Sequence, residues 1–151
     1  MKSHYRVVVI GGGVVGASVI YHLAKLGWTD VCLLERSVLT AGSSWHAAGG
    51  IHALNADPNI AALQAYTIDL LSEIEEESGH NIGLHMTGGL TMAGTPDRWE
   101  WLQSAYRVFQ SIGISDCRLV SPEEAGELNP IMSTEGLLGG MWADREGYVD
   151  T

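Results

Sequence analysis

The chain has 151 residues, 46% of them hydrophobic and 17% charged, a balance that fits one folded domain and excludes a disordered polymer. The formal net charge of −10 argues against a nucleic-acid or anionic-membrane partner. No apolar run reaches the roughly 18 residues of a membrane span, and the apolar stretch Val7–Ile10 meets glycines at once instead of a small-residue cleavage site, unlike a secretory leader.

The charge is unevenly spread. Residues 1–56 carry four basic and two acidic side chains, net +2; residues 57–151 carry four basic and sixteen acidic, net −12. The acidic excess serves solubility and need not report a substrate. Cys32 and Cys117 lack metal-binding or redox spacing and read as two reduced thiols.

Tyr5–Gly11 (YRVVVIG) is a β-branched run ended by glycine, which predicts a strand of a parallel sheet buried on both faces. Val14–Leu26 follows as a helix with Gly27 past its end, and Val31–Glu35 (VCLLE) as a second buried strand. Strand, helix and strand make one right-handed βαβ unit.

Between strand and helix lies Gly11-Gly12-Gly13-Val14-Val15-Gly16, the spacing G-x-G-x-x-G. Alone the pattern is weak; here it closes a strand, opens a helix and is followed by Glu35 at the end of the second strand. Gly11 permits the tight turn, Gly13 lets the backbone approach a pyrophosphate, and Gly16 lets helix and strand pack closely. The helix N-terminus turns free N–H groups and its positive dipole end toward phosphates. Glu35 can accept from a ribose diol and would repel a 2′-phosphate, which argues against NADP.

Ser37–Asn55 is a loop rich in Gly, Ser and Ala. Within it, Thr40-Ala41-Gly42-Ser43-Ser44-Trp45-His46-Ala47-Ala48-Gly49-Gly50 is long and rich in donors. Small residues let a backbone run beside a second, flat ring system, and Ser43 and Ser44 can donate to phosphate or ribityl oxygens. A plain crossover is usual here in NAD folds, so the loop favours FAD.

Asp57-Pro58 then opens a helix as N-cap and first helical residue, with an expected apolar stripe of Ile60, Leu63, Thr67, Leu70, Leu71 and Ile74, and Gly79 as its stop. Glu75–Glu77 reads as a solvated face. Gly88–Gly94 (GGLTMAG) predicts a short strand. Thr95-Pro96 caps a helix whose Trp99, Leu102, Tyr106 and Phe109 read as a core stripe, with Gly113 as its stop. Ser121-Pro122-Glu123-Glu124 is a capping box opening a short helix that Asn129-Pro130 closes, and Leu137–Ala143 predicts a strand. No further βαβ unit is visible after Glu35, whereas a doubly wound sheet needs more than two parallel strands. The expectation is an N-terminal fragment of a longer protein, inactive alone, that exposes a sheet edge and an apolar face.

ERSVLTAGSSWHAAG resembles the flavin loop of the dimethylglycine dehydrogenase and sarcosine dehydrogenase family, FAD-dependent N-methyl amine oxidoreductases of the D-amino-acid-oxidase-like, glutathione-reductase-2 superfamily. IEEESG at Ile74–Gly79, Gly88–Gly94 with Thr95, and GGMWADREGYVD at Gly139–Asp150 resemble later segments of the family, so the likeness covers nearly the whole chain. Ser44 stands where threonine is common, and Gly50 where leucine is common.

The resemblance implies an α/β, Rossmann-like FAD-binding domain, incomplete, with the start of a mixed-sheet substrate domain: residues 1–56 would hold the first βαβ unit and flavin loop, and 57–151 the region leading into substrate binding. Val14 and Val15 would give backbone contacts to the pyrophosphate, Glu35 and Arg36 would flank the adenosine ribose, and Gly42 to Gly50 would run past the pyrophosphate, ribityl chain and ring. Trp45 would pack on the flavin or fill core. In the family the histidine of the Trp-His pair is joined covalently to the flavin 8α-methyl carbon, which places that role on His46; without the family, His46 reads as an ordinary polar loop residue. The remaining histidines show no ligand spacing, and His52 and His85 are the two to check for proximity to the flavin.

The implied activity is oxidation of the N-methyl C–H bond of a small methylated amine or amino acid, with an electron-transfer flavoprotein or oxygen as acceptor and tetrahydrofolate in a C-terminal part beyond this chain. No residue stands out as a general base, and no metal, nucleic acid or membrane is expected. The implied compartment is a bacterial cytoplasm, or the mitochondrial matrix in a eukaryote. Two alternatives stay open: an amino-acid or amine oxidase with non-covalent FAD, and a redox-inactive regulatory homologue.

Overall fold

The computed structural model describes residues 2–150. The chain divides into two compact units, one running to Ala48 and the other from Gly49 to Asp150. The sequence suggested a boundary at 56/57. The observed division falls earlier because Gly50 and Ile51 form a strand that pairs with Tyr148 and Gly147.

The first unit is the βαβ element. Strand β1 (Val7–Ile10) pairs in parallel with β2 (Val31–Leu34), in register from Val7 opposite Val31 to Ile10 opposite Leu34. Helix α1 (Val14–Lys25) crosses between them, and Gly27, in the left-handed region at φ +84°, turns the chain out of it. The expectation of burial on both faces is not met. Alternate residues of β1 are half-buried and exposed, and Val8 and Ile10 are 45% and 85% exposed. With two strands and one helix, only one face of the sheet finds a partner within this unit.

The second unit holds two antiparallel sheets. One has the order β3 (Gly50–Ile51), β8 (Gly147–Val149), β4 (Leu84–His85); the other is β5 (Gly89–Ala93), β7 (Gly139–Ala143), β6 (Cys117–Val120). Three helices complete it: α2 (Pro58–Ser78), α3 (Pro96–Ser111) and α4 (Pro122–Leu128). Each opens as the sequence predicts, with Pro in the first turn and a side-chain oxygen on the freed N–H groups: Asp57 on Asn59 and Ile60, Thr95 on Arg98, Ser121 on Glu124. The capping box of α4 is only half made, because the Glu124 carboxylate pairs with Arg118.

The core sits between α3 and the β5-β7-β6 sheet, where Phe109, Leu102 and Met141 are the largest fully buried side chains. Trp99 and Tyr106 pack against it, as the stripe predicted. The stripe of α2 holds in its C-terminal half, where Leu70 is buried and Leu71 and Ile74 are half-buried, and is displaced by one position in its N-terminal half, where Ala61 and Ile68 are buried and Ile60, Leu63 and Thr67 are exposed. Alanines at 61 and 65 let the helix approach the core closely, and that steric advantage outweighs the larger apolar side chains on the adjacent face. Arg145 ties three segments together, bonding Asp69 of α2 and Asp116 just before β6 from the turn between β7 and β8.

Two outcomes follow from this packing. Phe109→Ala should lower the unfolding free energy by about 3–5 kcal/mol, read as an earlier urea midpoint at unchanged slope; a loss under about 1 kcal/mol would contradict the core assignment. Burial pushes the Cys117 thiol up to about 11, so at pH 8 it should alkylate far more slowly than the half-buried Cys32. Equal labelling rates would refute this.

Candidate cofactor site

The glycine turn forms where β1 hands over to α1. Gly11 sits at φ +105°, a conformation that side-chain-bearing residues avoid, and its N–H reaches the Leu34 carbonyl at 2.8 Å. A Cβ on Gly16 would collide with the Gly11 carbonyl oxygen, so the helix can lie this close to the strand only with glycine there. A Cβ on Gly13 would stand 3.1 Å from Ser44 Oγ.

Gly12 is a functional position that the motif does not mark. It is buried, its N–H donates to Glu35 Oε2 at 2.7 Å, and its carbonyl accepts from Thr40 N–H at 3.0 Å. The other Glu35 oxygen accepts from Ser37 N–H at 2.8 Å. The Gly12 N–H, then that of Ser37, hold the Glu35 carboxyl below its ordinary range. Glu35 is thus a fixed anion at the end of β2. Each of its oxygens keeps a further lone pair for a diol.

The loop comes to the same place. Ser44 Oγ accepts from Val14 N–H at 2.8 Å, so the loop hydroxyl caps the first residue of α1. The N–H groups of Val15 and Gly16 have no acceptor among the described residues, as the first turn of a helix dictates. Thr40 is the only described non-glycine residue at positive φ, +64°, a strained geometry that brings its N–H to Gly12.

His46 Nδ1 lies 2.9 Å from the Gly42 carbonyl. A carbonyl only accepts, so Nδ1 carries the proton and Nε2 of the neutral ring keeps its lone pair. Trp45 tilts against His46 with ring centroids 4.2 Å apart and is 56% exposed; it does not fill core. Ala47 N–H bonds the Ser44 carbonyl, and Arg36, Ser43 and Ala48 are exposed.

Gly11, Gly13, Val14, Val15, Gly16, Glu35, Arg36 and residues 42–48 therefore share the first unit. Gly49 and Gly50 do not. Gly49 accepts from Val149 N–H and Gly50 pairs with Tyr148, both in the second unit. His52 lines a cavity of that unit, and His85 stacks on Tyr148.

The residues present fit a dinucleotide diphosphate: unpaired helix N–H groups, glycines where a side chain would intrude, a serine hydroxyl at the helix end and a carboxylate anchored beside the turn. This defines a dinucleotide-binding βαβ element of the flavoprotein kind. Comparison with known proteins gives the family. Residues 6–151 match the model for FAD dependent oxidoreductases, DAO, and the chain belongs to that family.

The chain is 37% identical over 150 residues to dimethylglycine dehydrogenase, mitochondrial, of Rattus norvegicus, covering 99% of this chain and 17% of that protein. It is 33% identical over 151 residues to the pyruvate dehydrogenase phosphatase regulatory subunit, mitochondrial, of Mus musculus, covering 100% and 17%. The chain thus spans about a sixth of the length of these relatives. Among solved structures, L-proline dehydrogenase from P.horikoshii superposes with a TM-score of 0.88 at 25% identity, over 99% of this chain and 39% of that one.

Gly16→Ala tests the close approach. Alanine favours a helix interior by about 1 kcal/mol over glycine, yet here FAD affinity should fall at least tenfold in a fluorescence titration. Unchanged affinity in Gly16→Ala would sink the steric argument. Glu35 also sets a pH dependence. Its folded-state pKa lies below the unfolded value of about 4.5, so its stabilisation is complete above that value and is lost as pH falls through the lower one. Glu35→Gln should flatten the acid limb of the stability profile below pH 4.5; an unaltered limb would show that Glu35 has no such role.

Proposed function

We propose that the chain supplies the diphosphate cradle and flavin loop of an FAD-dependent enzyme that oxidises the N-methyl C–H bond of a small methylated amine or amino acid. The observation that carries this is the convergence of the glycine turn, Glu35 and Ser44 on the start of α1, joined to 37% identity with dimethylglycine dehydrogenase. When bound, FAD would supply the two-electron oxidant for the N-methyl C–H bond, and the oxidised one-carbon unit would be released by hydrolysis or captured by tetrahydrofolate.

This chain's residues bind and orient. Val15 and Gly16 N–H groups meet the diphosphate, and Glu35, with Arg36 beside it, takes the ribose. Residues 42–48 of the loop would run along the ribityl chain and ring. His46, its proton held on Nδ1 by Gly42, would offer Nε2 to the 8α carbon of oxidised FAD, the 8α proton being lost and the flavin, left reduced by the two electrons, reoxidised by the acceptor. An electron-transfer flavoprotein or oxygen accepts the electrons. The compartment is a bacterial cytoplasm, or the mitochondrial matrix in a eukaryote; the name of the rat relative supports the latter, and no described helix is long and apolar enough to cross a membrane.

The 33% identity to a phosphatase regulatory subunit favours a second reading, a redox-inactive regulatory homologue. The small-residue loop and the Trp45–His46 pair favour the first. Anaerobic addition of N,N-dimethylglycine or sarcosine to the FAD-loaded protein that carries this chain should bleach the flavin; bound FAD that never bleaches would favour the regulatory reading. On acid precipitation the yellow colour should stay with the wild-type pellet and pass to the supernatant in His46→Ala. Colour released from wild type would mean a non-covalent oxidase.

A further inference from the structure

The turn that starts the flavin loop is held in an unfavourable conformation. Ala41 N–H bonds the Val38 carbonyl at 3.3 Å, closing a β-turn over residues 38–41. Thr40 stands at the third position of that turn at φ +64°, where glycine or asparagine is usual. A β-branched residue is poorly suited to this region of backbone space. Stability alone would place glycine here.

Contacts on Gly12 enforce the strain. Thr40 N–H donates to the Gly12 carbonyl at 3.0 Å. Leu39 lies against Gly12, where a Cβ would collide with Leu39 Cδ2. Gly12 is itself fixed, because its N–H bonds Glu35. Thr40 is therefore pinned beside the glycine turn, within the first unit.

Its side chain does nothing for the fold. The Thr40 hydroxyl makes no hydrogen bond among the described residues, and the residue is exposed. Ser44 differs, since its hydroxyl oxygen already accepts from Val14 N–H. Neither packing nor an internal bond accounts for a threonine in this turn. A strained residue with a free donor beside a phosphate cradle points to a ligand. A hydroxyl that donates to an anionic oxygen makes a charge-assisted bond.

We propose that Thr40 is a further cofactor-binding residue, its hydroxyl donating to a diphosphate oxygen of FAD and its strained backbone holding that hydroxyl in place. The inference rests on the FAD-binding reading of the first unit and is independent of the substrate proposed above.

ADP, which carries the diphosphate without the flavin, tests it by titration into the flavin-free protein that contains this chain. Thr40→Gly should unfold at a higher temperature without ligand, because the strain is gone, yet bind ADP and FAD about tenfold more weakly, as loss of one bond to a charged group would give. Thr40→Val keeps the branch and drops the hydroxyl, and should weaken ADP to the same extent. Thr40→Ser should bind within about twofold of wild type. Adenosine, which has no phosphate, should lose no affinity in any variant. Wild-type ADP affinity in Thr40→Gly or Thr40→Val would overturn the proposal. So would a Thr40→Gly protein that melts below wild type, or Thr40→Ser binding as weakly as Thr40→Val, because both mark a purely structural residue. An equal loss for adenosine would put the hydroxyl on the ribose and overturn it too. Wild-type protein that binds neither ADP nor FAD would remove the cofactor site and this proposal together, whereas bound FAD that dimethylglycine never bleaches would remove only the proposed substrate.

Discussion

The approach of helix α1 to the Gly11 carbonyl governs the first unit. Without a Cβ at Gly16 the helix settles against the strand end, and its N-terminus then lies directly over the turn. That placement leaves the first N–H groups of α1 facing outward, puts Val14 within reach of Ser44, and lets Gly12 N–H close on Glu35. Each contact involves atoms that a helix lifted by even an ångström would pull apart. A single methyl group therefore decides whether the cradle exists, although helix propensity alone would favour adding it.

The second unit obeys a different logic. Its core is a helix laid on an antiparallel sheet, and its short strands β3, β4 and β8 are held by pairing over long sequence separations, as Gly50 with Tyr148 shows. Arg145 reinforces this by joining α2 to the segment before β6. The cavity that His52 and Glu146 line is a product of that long-range assembly: Glu146 is oriented by Ala53, 93 residues away in the chain.

This contrast explains what could be read from residues alone. The glycine spacing, Glu35 and the Asp57, Thr95 and Ser121 caps are local signals, each acting within a few residues or across one βαβ unit, and the structure places them as expected. Gly12 escaped notice because the motif treats it as variable, while its role arises only from the distance to Glu35. The first half of the α2 face is displaced by one position because helical periodicity cannot distinguish a large apolar stripe from an adjacent one whose alanines permit closer packing, whereas Leu70, Leu71 and Ile74 face inward as predicted. Strands of two or three residues carry too little pattern to be seen, so neither the early division at Gly49 nor the cavity of the second unit was legible.

Ser44 has a consequence for selectivity. With its hydroxyl already seated on Val14 N–H, one of the first-turn donors of α1 is already taken. A chloride, sulfate or free phosphate ion would compete with an internal group that is tethered and therefore present at high effective concentration. A long ligand meets the same competitor but can engage Val15, Gly16 and Glu35 at once. The serine thus acts as a gatekeeper, raising the threshold for small anions far more than for a nucleotide that spans the whole turn.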